Sequence, residues 1–536
     1  MSDTVLTIDG LTVALPSWSD RDLAVDNVSL GVDRNEILCV VGESGSGKSV
    51  MAKSVLGLLP APQVRVTGGR IEFEGQNLLE ASDEAMREVR GGRISMVFQE
   101  PMAALNPLMK VGGQIDEIFR IHTHMRPAAR SARVVELFDD VRLPEPDRIV
   151  GSYPHELSGG QRQRVMIAMA LALEPALIIA DEPTTALDVT TQAQILSLLK
   201  ELQAKHGTAV MFITHDFGVV AEIADRVVVM RHGKLIETGD SESLLRNPRE
   251  NYTKALVAAV PSLTPRHEAP VEPESVLSVR GLNKTYGGRA SLFGKRAREV
   301  HAVKGVSLEV PRGHSLALVG ESGSGKSTLA RCIVGLESPE SGEIRLDGEN
   351  IAGLSHKDMR RYRSKVQMVF QDPFASLNPR HKVGDIIGLG PMLQGASRSQ
   401  AWMRARELLD MVGLQPDAVE RYPHEFSGGQ RQRIGIARAL ATEPKLILAD
   451  EPVSALDVSV QKQVLELLDE LRQRLHLSML FITHDLRVAA HVCDDVAVMR
   501  RGEIVERGST AEIFANPSHE YTLQLLDSVP GKAWQH

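Results

Sequence analysis

ILCVVGESGSGKS, residues 37–49, reads as an apolar strand that runs into a glycine-rich turn and then into a helix. The turn has the form GxxxxGK[ST]. Gly42, Gly45 and Gly47, with Ser44 between them, let successive backbone N–H groups converge on an anion, and the helix opening at Lys48 adds the positive end of its dipole. Lys48 is placed to reach β- and γ-phosphates and Ser49 to coordinate Mg2+. One chance match in a chain of 536 residues has a probability on the order of a few per cent at average residue frequencies. The pattern occurs twice, however. Gly320, Ser322, Gly323, Gly325, Lys326 and Ser327 repeat it after a second apolar run at 316–319, which makes coincidence negligible.

Outward from this loop the chain repeats itself. VFQEP (97–101) answers VFQDP (369–373), and both continue to LNP. YPHELSGGQRQR (153–164) answers YPHEFSGGQRQR (422–433). ADEP recurs at Ala180 and Ala449, ITHD at Ile213 and Ile482, and a tail of the form NP…YT at Asn247 and Asn516. Lys48 and Lys326 lie 278 residues apart (326 − 48), whereas Ser158/Ser427, Asp181/Asp450 and His215/His484 are each 269 apart. The first half therefore carries nine more residues between its phosphate loop and its SGGQ segment, and none after it. The halves divide as 1–260 and 276–536. Between them, 261–275 (PSLTPRHEAPVEPES) is rich in Pro and Glu and lacks apolar periodicity, which predicts an extended linker. The basic stretch 287–298 reads as a surface loop. Continuous apolar runs at 37–41, 177–180 and 210–213, and at 316–319, 446–449 and 479–482, suit strands buried on both faces of a parallel sheet. Helices between them give right-handed crossovers and an α/β, doubly wound core.

Size and composition narrow the class. At 536 residues and 58.6 kDa, length alone predicts about three or four compact units. Apolar residues at 43% and charged residues at 24% are an ordinary globular balance. A net charge of −8 argues against a partner made of nucleic acid, which asks for a basic face. Cys39, Cys332 and Cys493 have no paired spacing, which speaks against a disulfide framework or zinc knuckle and for a reducing cytoplasm. No apolar run approaches the roughly 20 residues of a spanning helix. The start MSDTVLTIDG lacks the pattern of a signal peptide, so membrane contact is expected only through partners.

A phosphate loop alone indicates some nucleoside triphosphatase, and the carboxylates downstream sharpen that reading. Asp181 and Asp450 end apolar strands and are placed to hold Mg2+. Glu182 and Glu451 follow immediately and are placed to polarise an attacking water. Alone, an acidic pair is more often a solvated strand end; a phosphate loop upstream of each changes that balance. Ser158-Gly159-Gly160-Gln161 and Ser427-Gly428-Gly429-Gln430 have the chemistry of an anion-binding helix start, although composition by itself favours a plain N-cap.

The full motif set in each half resembles the ATP-binding cassette (ABC) family over about nine-tenths of the chain. The resemblance implies two P-loop NTPase domains, each with a RecA-like parallel-sheet core, an antiparallel β subdomain and a helical subdomain. It further implies two head-to-tail ATP sites. One uses Lys48, Ser49, Gln99, Asp181, Glu182 and His215, completed by Ser427–Gln430. The other uses Lys326, Ser327, Gln371, Asp450, Glu451 and His484, completed by Ser158–Gln161. In the family pattern Gln99 and Gln371 sense Mg2+ and contact membrane subunits, and His215 and His484 contact the γ-phosphate. The segments TALD (185–188) and SALD (454–457) resemble loops that connect the two sites. An adenine-stacking aromatic is matched by Tyr286 in the second half; the first half has Leu15 at that place, with Trp18 as the substitute candidate.

Within the family, YPHE before SGGQRQR, the FQ(E/D)P…LNP loop and both NP…YT tails resemble the paired ATPase subunits of oligopeptide, dipeptide and glutathione importers, here fused. This implies an ATPase on the cytoplasmic face of the inner membrane. Its partners would be two transmembrane permease subunits and a periplasmic or extracellular substrate-binding protein, its cofactors ATP and Mg2+. Relatives often carry a cysteine cluster after the NP…YT tail; both tails here lack cysteine, so no iron–sulfur cluster is expected. A ribosome-associated tandem cassette protein is disfavoured by the short, Pro-rich, non-basic linker. A sugar importer ATPase is disfavoured because both cassettes keep every catalytic group, and a nickel importer remains an alternative.

Overall fold

In the computed structural model every one of those apolar runs is a strand covered on both faces. The structure describes residues 3–185, 187–265, 274–287, 299–351, 354, 356–454, 456–532 and 534. Positions 266–273 of the expected linker, 288–298 of the expected surface loop, and Ala186 and Ala455 of the TALD and SALD segments lie outside the described residues.

Two compact units form, not the three or four expected from length. The first comprises Met1–Leu187, Thr191–Val260 and Pro530–His536, the second Asp188–Thr190 and Pro261–Val529. The expected boundaries 1–260 and 276–536 therefore differ in two short segments. Trp534, near the chain end, is an apolar ring packed against the core of the first unit. Ser275, expected as the last linker residue, already begins a strand, Ser275–Tyr286.

The central sheet of the first unit runs, edge to edge, Lys234–Asp240, Arg226–Arg231, Ile37–Val41, Ala209–Thr214, Leu177–Asp181, Ile94–Val97. All neighbours are parallel except the first pair. Strand Ile37–Val41 shows why the run is apolar throughout. Ile37, Cys39 and Val41 face a core shared with the helices, and Leu38 and Val40 face a second core on the opposite side. That second core is roofed by an antiparallel sheet in the order Leu23–Asp33, Thr4–Ala14, Arg65–Phe73, Gln76–Asn77. Inserted between strands Ile94–Val97 and Leu177–Asp181, helices Val111–His122, Pro127–Asp140 and Gly159–Leu171 pack on one another as a helical subdomain.

The second unit repeats this plan. Its central sheet runs Val366–Val369, Leu446–Asp450, Ser478–Thr483, Ser315–Val319, Asp495–Arg500, Glu503–Ser509. Ala317 and Val319 face one core, Leu316 and Leu318 the other. The fold is thus α/β with a parallel-sheet core, an antiparallel β subdomain and a helical subdomain in each unit. The structure also locates the extra residues of the first half. The offset falls from 278 at Lys48/Lys326 to 273 at the equivalent strand positions Ile71/Ile344. Five of the nine lie between the first helix, Lys48–Val55, and strand Arg65–Phe73 as far as Ile71. Among the described residues no helix is long and apolar enough to cross a membrane.

Candidate functional site

Both phosphate loops leave the central strand of their sheet at its carboxyl end, where open α/β sheets bind ligands. Gly42 has φ 151°, and a Cβ there would lie 2.2 Å from Met230 O; Gly320 repeats this with φ 150° and 2.2 Å to Met499 O. Gly47 caps helix Lys48–Val55 at φ 101°, with its would-be Cβ 2.3 Å from Ala24 O. Only glycine fits such positions. At the loop tip the situation reverses. Ser44, Gly45, Ser322 and Gly323 are exposed, and a Cβ at Gly45 or Gly323 would meet nothing within 4 Å. Backbone N–H groups there have room for an anion.

Lys48 and Lys326 are buried at 5% exposure each. Lys48 Nζ donates to Gly42 O at 2.7 Å, Glu43 O at 2.9 Å and Ser46 Oγ at 3.3 Å. Lys326 Nζ donates to Gly320 O at 2.6 Å and Glu321 O at 2.9 Å. Burial holds the Lys326 ammonium below its usual range, against the pull of Glu451 and Asp450 nearby.

The carboxylates converge on the same ends. Asp181 closes its strand and accepts from Ser49 Oγ at 2.7 Å; Asp450 accepts from Ser327 Oγ at 3.3 Å. Burial pushes both aspartic acids up, and the serine hydroxyls pull them partly back. Glu182 and Glu451 both sit at φ 47°, a left-handed conformation that glutamate rarely adopts. Each is held there by its backbone N–H, donating to Ile213 O at 3.0 Å and to Ile482 O at 2.9 Å.

Both glutamates carry the expected companions. Glu182 accepts from Gln99 Nε2 at 3.0 Å and Thr185 Oγ1 at 3.0 Å, with His215 Nδ1 3.3 Å away. Glu451 accepts from Gln371 Nε2 at 2.8 Å, with His484 Nδ1 at 3.1 Å. Burial is the largest single influence and would raise these carboxyls, but the imidazole hydrogen bond and charge together with the nearby Lys48 or Lys326 ammonium hold both below the usual carboxylate value. The same pairing lifts His484 above its ordinary value in spite of burial. One difference separates the halves: Thr185 turns its hydroxyl to the Glu182 carboxylate, whereas Ser454 donates to the Glu451 carbonyl at 3.1 Å.

This donor set suits a hard divalent cation. Mg2+ is generally held by one or two carboxylates together with substrate phosphates and not by an all-protein cage. A hydroxyl beside a carboxylate, Ser49/Asp181 and Ser327/Asp450, is what each unit offers. Among the described residues no group of three or more His, Cys, Asp or Glu could hold a metal ion. Cys39, Cys332 and Cys493 are fully buried in the cores, and burial pushes the Cys332 thiol up to about 11.

Other expected residues sit apart from this cluster. Ser158 and Ser427 are N-caps of helices Gly159–Leu171 and Gly428–Leu440. Each has a complete capping box: Ser158 N–H donates to Gln161 Oε1 at 2.9 Å and Ser427 N–H to Gln430 Oε1 at 3.0 Å. Tyr286 ends its strand at 38% exposure, its ring 5.3 Å from Lys284 Nζ and its hydroxyl on Glu337. Leu15, half-buried, packs against the core under the antiparallel sheet, while Trp18 is 81% exposed. Among the residues outside the expected set that touch the phosphate loops are Tyr252 and Tyr521. Their signal was the recurrence of NP…YT in both tails.

Comparison with known proteins agrees with this geometry. The domain family described as ABC transporter matches residues 25–185 and 303–454, and the family described as oligopeptide/dipeptide transporter, C-terminal region, matches 236–289 and 505–534. The glutathione import ATP-binding protein GsiA of Salmonella choleraesuis is 47% identical over 99% of this chain and 90% of its own length. The peptidoglycan transport ATP-binding protein YejF of Agrobacterium fabrum is 47% identical over 97% of this chain and 96% of its own. With an ABC transporter domain matched in each half and relatives 47% identical along nearly the whole chain, this protein is a tandem ATPase and belongs to the ABC transporter ATP-binding family.

Proposed function

We propose that the chain is the motor of a bacterial importer for peptides or peptide-like compounds of the glutathione and oligopeptide class. The observation that carries this reading is the paired match to the oligopeptide/dipeptide C-terminal region, together with relatives named for glutathione import and peptidoglycan transport. The working assembly has two permease subunits and a substrate-binding protein, and the chain sits peripherally on the cytoplasmic face of the membrane. Exposed apolar side chains around Gln99, among them Phe98, Met102 and Leu108 at 37%, 46% and 86% exposure, support a protein partner at that face.

In each site the phosphate loop and Lys48 or Lys326 bind the nucleotide. Glu182 and Glu451 are the acceptors for the proton of the attacking water, oriented by His215 and His484. Held below the usual carboxylate range, both stay ionised at neutral pH and ready to accept. Ser49, Asp181 and Gln99, and Ser327, Asp450 and Gln371, would hold Mg2+, which when bound neutralises charge on the phosphates. Closure on ATP drives the permease because nucleotide binds the closed state better. Tyr286 stacks on adenine in one site; in the other Trp18, exposed and aromatic, is the candidate, with Leu15 half-buried against the core.

The test is affinity purification of the tagged chain from detergent-solubilised membranes with identification of what accompanies it. Two multi-spanning proteins, and turnover stimulated by a peptide-loaded binding protein, are expected. Ribosomal proteins without membrane subunits would move the chain to the translation-associated class.

A further inference from the structure

The repeated tail motif NP…YT has no role in the hydrolytic cluster, yet both tails end on a phosphate loop. Tyr252 Oη accepts from the Glu43 backbone N–H at 3.3 Å and donates to Glu43 Oε2 at 3.2 Å. In the second unit Tyr521 Oη accepts from the Glu321 N–H at 3.1 Å. Both rings are fixed by a guanidinium 4.6 Å from the ring centre, Arg231 over Tyr252 and Arg500 over Tyr521. The turn before each tail helix is fixed too. Glu237 accepts from the Arg249 and Glu250 N–H groups at 2.8 and 3.2 Å, and Glu506 from the Ser518 and His519 N–H groups at 2.6 and 3.3 Å. Tyrosine, arginine and glutamate each recur at an offset of 269 (521 − 252, 500 − 231, 506 − 237).

The loop atom chosen by the tyrosine is informative. The N–H of Glu43 and the C=O of Gly42 belong to one planar peptide unit. Tyr252 holds the N–H end of that plane, and Lys48 Nζ holds the C=O end at 2.7 Å. Tyr521, the Gly320–Glu321 peptide and Lys326 Nζ at 2.6 Å repeat the relay. The peptide follows Gly42 or Gly320, residues with unusual rotational freedom, so an external hold on it has something to restrain. Burial, with the neighbouring glutamates, pushes both phenols up to about 12, so they remain protonated donors at neutral pH.

We propose that Tyr252 and Tyr521 are positioning residues for nucleotide binding. Through them the C-terminal region typical of oligopeptide transporters sets the first peptide of each phosphate loop and thereby the phosphate-binding lysine. The proposal rests on the reading of these loops as ATP sites. A pre-set loop assists ground state and transition state alike, so its loss raises KM and leaves kcat in place.

The experiment compares full-length wild type with Y252F/Y521F, which keeps the rings and their arginine contacts and removes only the hydroxyls. KM for ATP is expected to rise about 2- to 12-fold, the range for losing the neutral hydrogen bond to the loop N–H that both tyrosines make. Turnover at saturation and the thermal midpoint are expected to stay at wild-type values. An unchanged KM overturns the proposal, as does a fall in kcat or thermal midpoint without a change in KM. K48A/K326A is run alongside: should it bind ATP like wild type, the site assignment fails and the proposal with it.

Discussion

Gly159 and Gly160 are adjacent, yet the structure separates what an added methyl would do at each. A Cβ on Gly160 would lie 2.6 Å from Thr191 Cγ2, inside the helix packing. A Cβ on Gly159 has only Leu187 Cδ2 at 4.0 Å. The second half repeats the contrast, with Val460 Cγ1 at 2.3 Å from Gly429 and Leu456 Cδ2 at 3.8 Å from Gly428. Overpacking of this kind costs about 1–3 kcal/mol, and in a unit of this size each kcal/mol moves the thermal midpoint by about 2–4 °C. G160A/G429A should therefore melt about 2–12 °C below wild type. G159A/G428A should melt at the wild-type midpoint or slightly above it, since alanine in a helix is favoured over glycine by up to about 1 kcal/mol. If the SGGQ helix starts face nucleotide, the same mild pair should lose about hundredfold to thousandfold in turnover, because its methyls block N–H groups aimed at phosphate. Calorimetry and steady-state ATPase rates on the same preparations decide it. Wild-type turnover by G159A/G428A at a wild-type midpoint would refute the reasoning and reduce SGGQ to the helix cap that its capping box already explains.

Other outcomes follow from the clusters. E182Q and E451Q should each lower turnover by about 10²- to 10⁴-fold if both sites hydrolyse in concert, as general-base losses do; a single variant with near-normal rate would show that its site is dispensable. Chelation with EDTA should abolish hydrolysis, and S49A/S327A should raise the Mg2+ concentration needed for half-maximal rate, with an unchanged Mg2+ titration counting against those serines as ligands. Elemental analysis of anaerobically purified protein should find no stoichiometric iron; an iron–sulfur spectrum would contradict the reading of the cysteine-free tails.

Much of the candidate site was legible before the fold was known. Lys48, Ser49, Asp181, Glu182 and His215, which the structure brings together, stand out in the sequence because phosphate chemistry demands fixed residue types at short fixed spacings. Buried strands on either side of them are read from apolar runs that need no partner to be recognised. The repeat doubled every signal, so chance could be discarded from one sequence. Length gave the wrong number of compact units, because one cassette of this type holds two cores on opposite faces of a single sheet. The short tail segment around Trp534 is assigned to the first unit by packing that no local pattern encodes.

What the sequence determined alone was the inventory: two phosphate-loop motifs, two pairs of candidate carboxylates, and an α/β order of elements. Tertiary structure decided what is coupled to what. Glu182 and Glu451 adopt left-handed backbones because a neighbouring strand takes their N–H groups, about 30 residues away in sequence. Gly42 is glycine because Met230 O lies where a Cβ would stand. Tyr252 meets Glu43 across 209 residues of chain. Composition and periodicity report each residue's own environment, whereas such contacts depend on which strands are neighbours in the sheet. That order is fixed only when both faces of the sheet are buried together.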